Sequence, residues 1–297
     1  MKTTNIIYRR EIRLILIVLC VFISITIHAQ TKHQLLRSGD ASYSAGEYSK
    51  AEEAYRKAIE KEGKSQAKYN LGNSLYEQER YDEALDKLQV SYDEKALPLV
   101  ESTTLVQALA QLYVTQKKPV KAKELLLNFI DIAESSSKPV PGIHNIYALT
   151  ALVYATEKNF DLAYSYINKA IALSSAFRED WYQLKFAIEY NKKDFIAAEG
   201  SAKILLLNKP DKKMYYVQLS AIYNVLEKYD LSLATMEVSY MKGMLDKPEE
   251  FTNLASFYLY RNNPVMSANV LESAISNENI IFTKANAKLL ADSWLYA

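Results

Sequence analysis

This 297-residue sequence predicts an all-α solenoid of stacked antiparallel helix pairs, about seven repeats closed by a terminal helix. Three observations predict it. A phrase returns: Gly39-Asp40-Ala41, Gly46-Glu47-Tyr48 and Ala51 come back as Leu71-Gly72-Asn73, Glu79-Arg80-Tyr81 and Ala84, 33 residues later. A fixed period of this size is the mark of stacked helical units. Glycine and proline are scarce, at 7 each, which suits long helices. Small residues also recur at positions 51, 84, 122, 163, 198, 232 and 267, in steps of 33, 38, 41, 35, 34 and 35.

Each unit is read as two helices, A and B. Helix A carries a small residue where the pair approaches most closely. Helix B opens with an aromatic, then a polar cap (Ser49, Asp82, Asp161 or Asp230), then a small residue. The first unit supplies Gly39, Gly46, Tyr48, Ala51, Tyr55 and Ala58. The second supplies Tyr69, Leu71, Gly72, Tyr81 and Ala84. A third runs through Leu109-Ala110, with Pro119 in place of the aromatic, at a helix first turn. A fourth contains Ala151 and Phe160 to Ala163. In a fifth, Phe186 occupies the small position, so its register is in doubt. A sixth contains Ser220 and Ser232, and a seventh Ala255 and Ser267. Leu290-Ala291 with Trp294 reads as helix A of an eighth.

These residues resemble the tetratricopeptide repeat, whose spacing is close to 34. The resemblance implies a right-handed superhelix that binds protein or peptide partners along its helix A face. The first two units look like those of aerotolerance-operon repeat proteins. The last three loosely resemble repeat proteins that accompany TonB systems. On that face the register places Arg37, Asp40, Tyr43, Tyr69, Asn70, Asn73, Tyr76, Gln107, Gln111, Gln183, Tyr190, Gln218, Asn224, Asn253 and Tyr260. Amides donate to and accept from a peptide backbone, and tyrosine adds contact area with a polar tip. The face is expected to suit an extended, weakly charged peptide. The family's carboxylate clamp is not expected, because Leu36 and Asp40 stand where it places Lys and Asn.

Residues 1–29 read as a secretory signal peptide: Lys2, Arg9, Arg10 and Arg13, then an apolar run from Leu14 to Ile27, then Ala29. The run is short for a spanning anchor, so export to the periplasm is expected, with a retained anchor as the alternative. The rest of the chain then divides into an N-terminal sub-array, 30–137, and a C-terminal one, 143–297, around the Ser-Pro-Gly stretch 135–142, a joint or an ordinary surface loop. Without residues 1–29 the chain has 32 Lys+Arg against 34 Asp+Glu and no cysteine, since Cys20 is the only one. That balance argues against nucleic acid as a partner.

No enzyme, cofactor or metal site is expected. His33 and His144 are far apart, and no phosphate loop or nucleophile elbow occurs. Lys117-Lys118 and Lys192-Lys193 are expected at A-to-B turns. The apolar end Leu289 to Ala297 leaves three readings: an association surface, a packing helix or a truncated product. Docking on a membrane complex and the oligomeric state stay open.

Overall fold

The computed structural model describes residues 34–62, 65–95 and 97–297. The expected signal peptide and His33 lie outside them. Among the described residues every regular element is an α-helix: α1 (34–44), α2 (Tyr48–Glu62), α3 (Ser65–Glu77), α4 (Tyr81–Asp93), α5 (Leu99–Thr115), α6 (Pro119–Glu134), α7 (Ile143–Thr156), α8 (Phe160–Leu173), α9 (Glu179–Asn191), α10 (Phe195–Asn208), α11 (Lys213–Val225), α12 (Tyr229–Met241), α13 (Pro248–Tyr260), α14 (Pro264–Ser276) and α15 (Lys284–Tyr296). Odd-numbered helices take the A role and even-numbered ones the B role, so seven pairs precede a terminal helix. The helices fall into two compact units that divide after Val153, within α7.

Every A-to-B turn has three residues, and its middle residue lies in the left-handed region. Gly46 does so at φ 76°. Glu79, Lys117, Lys158, Lys193, Glu227 and Asn262 do so at φ between 57° and 61°. The two N–H groups that follow each helix A turn back onto it. Arg80 N–H donates to Leu75 O at 3.0 Å and Glu79 N–H to Tyr76 O at 2.9 Å. This double closure satisfies carbonyls that the helix end would leave free. The same pair recurs at Lys118/Lys117, Asp194/Lys193, Lys228/Glu227 and Asn263/Asn262.

The expected close crossings are present. Gly72, Ala84, Ala110, Ala122, Ser220, Ser232, Ala255 and Ser267 are all buried. A Cβ on Gly72 would lie 2.6 Å from Leu88 Cγ, so nothing larger than glycine fits. At the sixth pair the two helices approach closely enough for serines to bond across. Ser232 Oγ donates to Ser220 O at 2.9 Å, and the two hydroxyls lie 2.7 Å apart. Phe186 keeps its register: it packs in a core with Ala198, Ala202, Leu205, Tyr215 and Leu219, where the small residues of α10 make room. The long steps of 38 and 41 residues come from the 17-residue α5, the 16-residue α6 and the connection 135–142. Val140 of that connection is buried.

Two expectations are corrected. Helix B begins at its aromatic residue, so Ser49, Asp82, Asp161 and Asp230 stand inside the first turn and are not caps. The residue before the aromatic takes that position, as Asn159 and Asp194 do by accepting from Leu162 N and Ala197 N. The displaced acids have another role. Asp82 accepts from Gln116 Nε2 at 2.8 Å, Asp161 from Lys192, and Asp230 from Arg261 Nε at 2.9 Å. Each bond ties the start of one helix B to the A-to-B turn of the next repeat. At the C-terminus Ala291 is exposed, and Ser293 is the buried small residue of α15, 2.7 Å from Ser267.

Candidate functional site

In the unit that precedes Val153, α1 and α3 lie side by side on their helix A faces. Asn70 Nδ2 on α3 donates to Asp40 Oδ1 on α1 at 3.0 Å. Tyr55 on α2 reaches the same oxygen with its hydroxyl at 2.7 Å. Asp40, Tyr43, Ser44, Tyr55, Asn70 and Asn73 line one open recess there. Three expected groove residues, Tyr43, Asn70 and Asn73, therefore meet around Asp40. Arg37, one turn earlier on α1, is exposed and does not line it.

The tyrosines of this face are held by the repeat itself. Tyr43 meets Tyr48 edge to face at 5.3 Å, and Tyr76 meets Tyr81 at 5.4 Å. In both, the last turn of helix A supports the aromatic that opens helix B. Tyr43 Oη lies 3.4 Å from Glu77 Oε1. Burial first, then the Glu77 carboxylate, pushes the Tyr43 phenol up to about 12, so it stays a donor at neutral pH. Burial and Asp40 push the Tyr55 phenol up as well. Tyr69 on α3 is half-buried. On α5, Gln107 is half-buried and Gln111 exposed.

The other unit presents a different surface. Tyr190 is exposed on α9, packed against Phe186 and Phe195. Asn224 is exposed on α11. Tyr260, exposed on α13, packs against Tyr229 and Phe257. Gln183 is taken up by the Tyr215 hydroxyl at 2.6 Å, and the Gln218 carbonyl oxygen is buried. Asn253 is exposed. The residues that α11 shows to solvent beside Asn224 are Met214, Val217, Ala221 and Val225, so this surface carries an apolar stripe in place of the expected amide-rich one. Their spacing of three and four residues was the available signal. Tyr55, Ser44 and Glu77 were also missed as members of the site. The offset of 15 residues between Tyr55 and Asp40 becomes meaningful only once the A-to-B turn is known.

Among the described residues no group of three or more metal-ligating side chains gathers, and no helix is long and apolar enough to cross a membrane. His144 sits at the start of α7.

The pattern of the first two pairs matches the tetratricopeptide repeat family across residues 36–97. Those residues are tetratricopeptide repeats. The later pairs stack as the same unit. The array is similar to the C-terminal part of a TPR repeat-containing protein from Cytophaga hutchinsonii: TM-score 0.64, 14% identity, 86% of this chain and 99% of that one. A tetratricopeptide repeat protein from Parabacteroides merdae matches with TM-score 0.55 and 15% identity, over 89% of this chain and 99% of that one. These likenesses concern the fold. The human protein O-mannosyl-transferase TMTC1 is 29% identical over 194 residues, 63% of this chain. The chain spans 20% of that relative's length. A tetratricopeptide array is typically a scaffold for protein–protein interaction, not a catalyst.

Proposed function

We propose that this array is a non-enzymatic adaptor of the bacterial cell envelope that takes a peptide segment of a partner protein on the helix A face of α1 and α3. The observation that carries the reading is the recess around Asp40, where side chains from α1, α2 and α3 converge on an open surface. Tyr69 and Tyr76 stand on the same helix as Asn70 and Asn73 and are half-exposed. Tyr76, held by the Tyr81 ring, loses little freedom on binding, which favours affinity. The envelope location rests on residues 1–29.

A second reading has its own observation. On α15, Leu295 and Tyr296 are 77% and 69% exposed, and Trp294 is held by a bond from Nε1 to Glu272 at 2.9 Å. An accessory subunit of an envelope complex would dock through this helix.

The test is affinity capture from envelope extracts with wild type and with Tyr69→Ala/Tyr76→Ala, both checked for fold. A partner held by the wild type and lost by the variant supports the α1–α3 face. Partners held equally by both sink it and direct attention to α15.

A further inference from the structure

The hydrogen bonds around Asp40 leave the recess with a definite polarity. Its three hydroxyls are all spent as donors. Tyr55 Oη gives its proton to Asp40 Oδ1, Ser44 Oγ to Asp40 O at 2.8 Å, and Tyr43 Oη points at Glu77 Oε1. Asn70 is fixed at both ends: its amide nitrogen donates to Asp40 Oδ1 and its oxygen accepts from Gln66 at 3.0 Å. Both bonds on the Asp40 carboxylate end on Oδ1, so Oδ2 takes none from the described residues. Asn73 brings a side-chain amide, with an acceptor as well as donors, to the same recess, and Tyr43 lines it. The site offers a full negative charge, acceptors and an aromatic surface, and it has no cation in its lining.

We propose that this recess is a subsite for a basic side chain, the ammonium of a lysine or the guanidinium of an arginine, carried by the partner peptide. The inference rests on the reading of this face as the partner-binding one and names the chemistry it selects. An N–H cation matches acceptors that are already oriented by Tyr55 and Asn70, and charge-assisted bonds of this kind are the strong ones. The Tyr43 ring adds an attraction for the same charge. A carboxylate meets repulsion at the same place. The face therefore selects a basic anchor within an otherwise weakly charged segment.

The probe is a random dodecapeptide phage library panned on the full chain, followed by anisotropy with the selected peptide and with its norleucine counterpart at the basic position. The expected result is a shared Lys or Arg position, with norleucine binding about tenfold or more weakly, as loss of one charged hydrogen bond implies. Asp40→Asn, which keeps an acceptor for Tyr55, brings the basic peptide down to the norleucine level and leaves the norleucine peptide unchanged. Peptides lost on Tyr69→Ala/Tyr76→Ala but lacking a basic position, or indifferent to Asp40→Asn, overturn this inference and leave the adaptor reading standing. No enrichment, or peptides indifferent to the tyrosine pair, overturns both. The norleucine comparison on wild type does not depend on how any variant folds.

Discussion

Replacing Gly46 with alanine should cost about 1 kcal/mol, and replacing Glu79 with glycine should return a similar amount. The two positions are equivalent, each the middle residue of an A-to-B turn, at φ 76° and 61°. A Cβ built on Gly46 meets nothing within 4 Å, so packing does not enter and the cost is that of the backbone region alone. A left-handed conformation costs an L-residue roughly 1–2 kcal/mol, and glycine loses about 0.5–1 kcal/mol more on ordering, so the net is about 0.5–1 kcal/mol in favour of glycine. Lys117, Lys158, Lys193 and Glu227 repeat the situation, and changes this far apart should add. All five glycines together should contribute about 2.5–5 kcal/mol. Urea unfolding followed by far-UV circular dichroism reads the midpoint, with an unchanged slope required for the comparison. A neutral Gly46→Ala, or a destabilised Glu79→Gly, would refute the argument that these turns store backbone strain.

Three further outcomes are expected. Gly72→Ala, pressing on Leu88, and Ala84→Leu, at a fully buried crossing, should each destabilise by about 1–3 kcal/mol through overpacking, read as a lowered melting temperature. Burial raises the Glu189 carboxyl above the usual range, against the opposing effects of Ser201 and Lys185. A raised folded value gives stability that is complete below the unfolded value and lost as pH rises through the folded one. Glu189→Gln should therefore gain on wild type at neutral pH and lose that gain near pH 4, and a difference independent of pH would count against it. Arg261→Ala should loosen the tie to Asp230 by a small, salt-sensitive amount, because both partners are partly solvated; an effect that persists in high salt would point to lost packing instead.

The helix pairs, their number and their crossings were legible because each is encoded by residue size at a fixed spacing. Gly72 against Leu88, sixteen positions on, and Ser220 against Ser232, twelve positions on, are local consequences of a small residue facing the next helix. The turns were less legible. The first spells its left-handed residue as glycine and the seventh as asparagine, and lysine or glutamate at the other five gives no conformational signal. The polar aspartates read as caps because the aromatic before them was placed outside the helix. The side chains that meet around Asp40 were legible on α1 and α3, where Tyr43, Asn70 and Asn73 follow the helix A register; the exposed face of α11 was read through Asn224 and without its apolar neighbours. There the amide pattern hid a rotation that buries the Gln218 oxygen and turns Met214, Val217 and Val225 outward.

The seven A-to-B turns share one length and one hydrogen-bond closure, whereas the connections from helix B to the next helix A vary freely. An added residue in the first kind breaks the double closure, and in α5, α9 and α13 it also displaces the side chain that ties that turn to the preceding helix B. In the second kind the constraint differs from one to the next: the connections after α12 and α14 repeat the double closure at Gly243/Met244 and Glu278/Asn279, and the one after α6 does not. For anyone grafting a tag, an epitope or a fluorophore attachment site into this chain, the exposed residues 137–139 are therefore open ground, whereas the three residues before Tyr81 and the connection 277–283, with its buried Ile280, are closed to it.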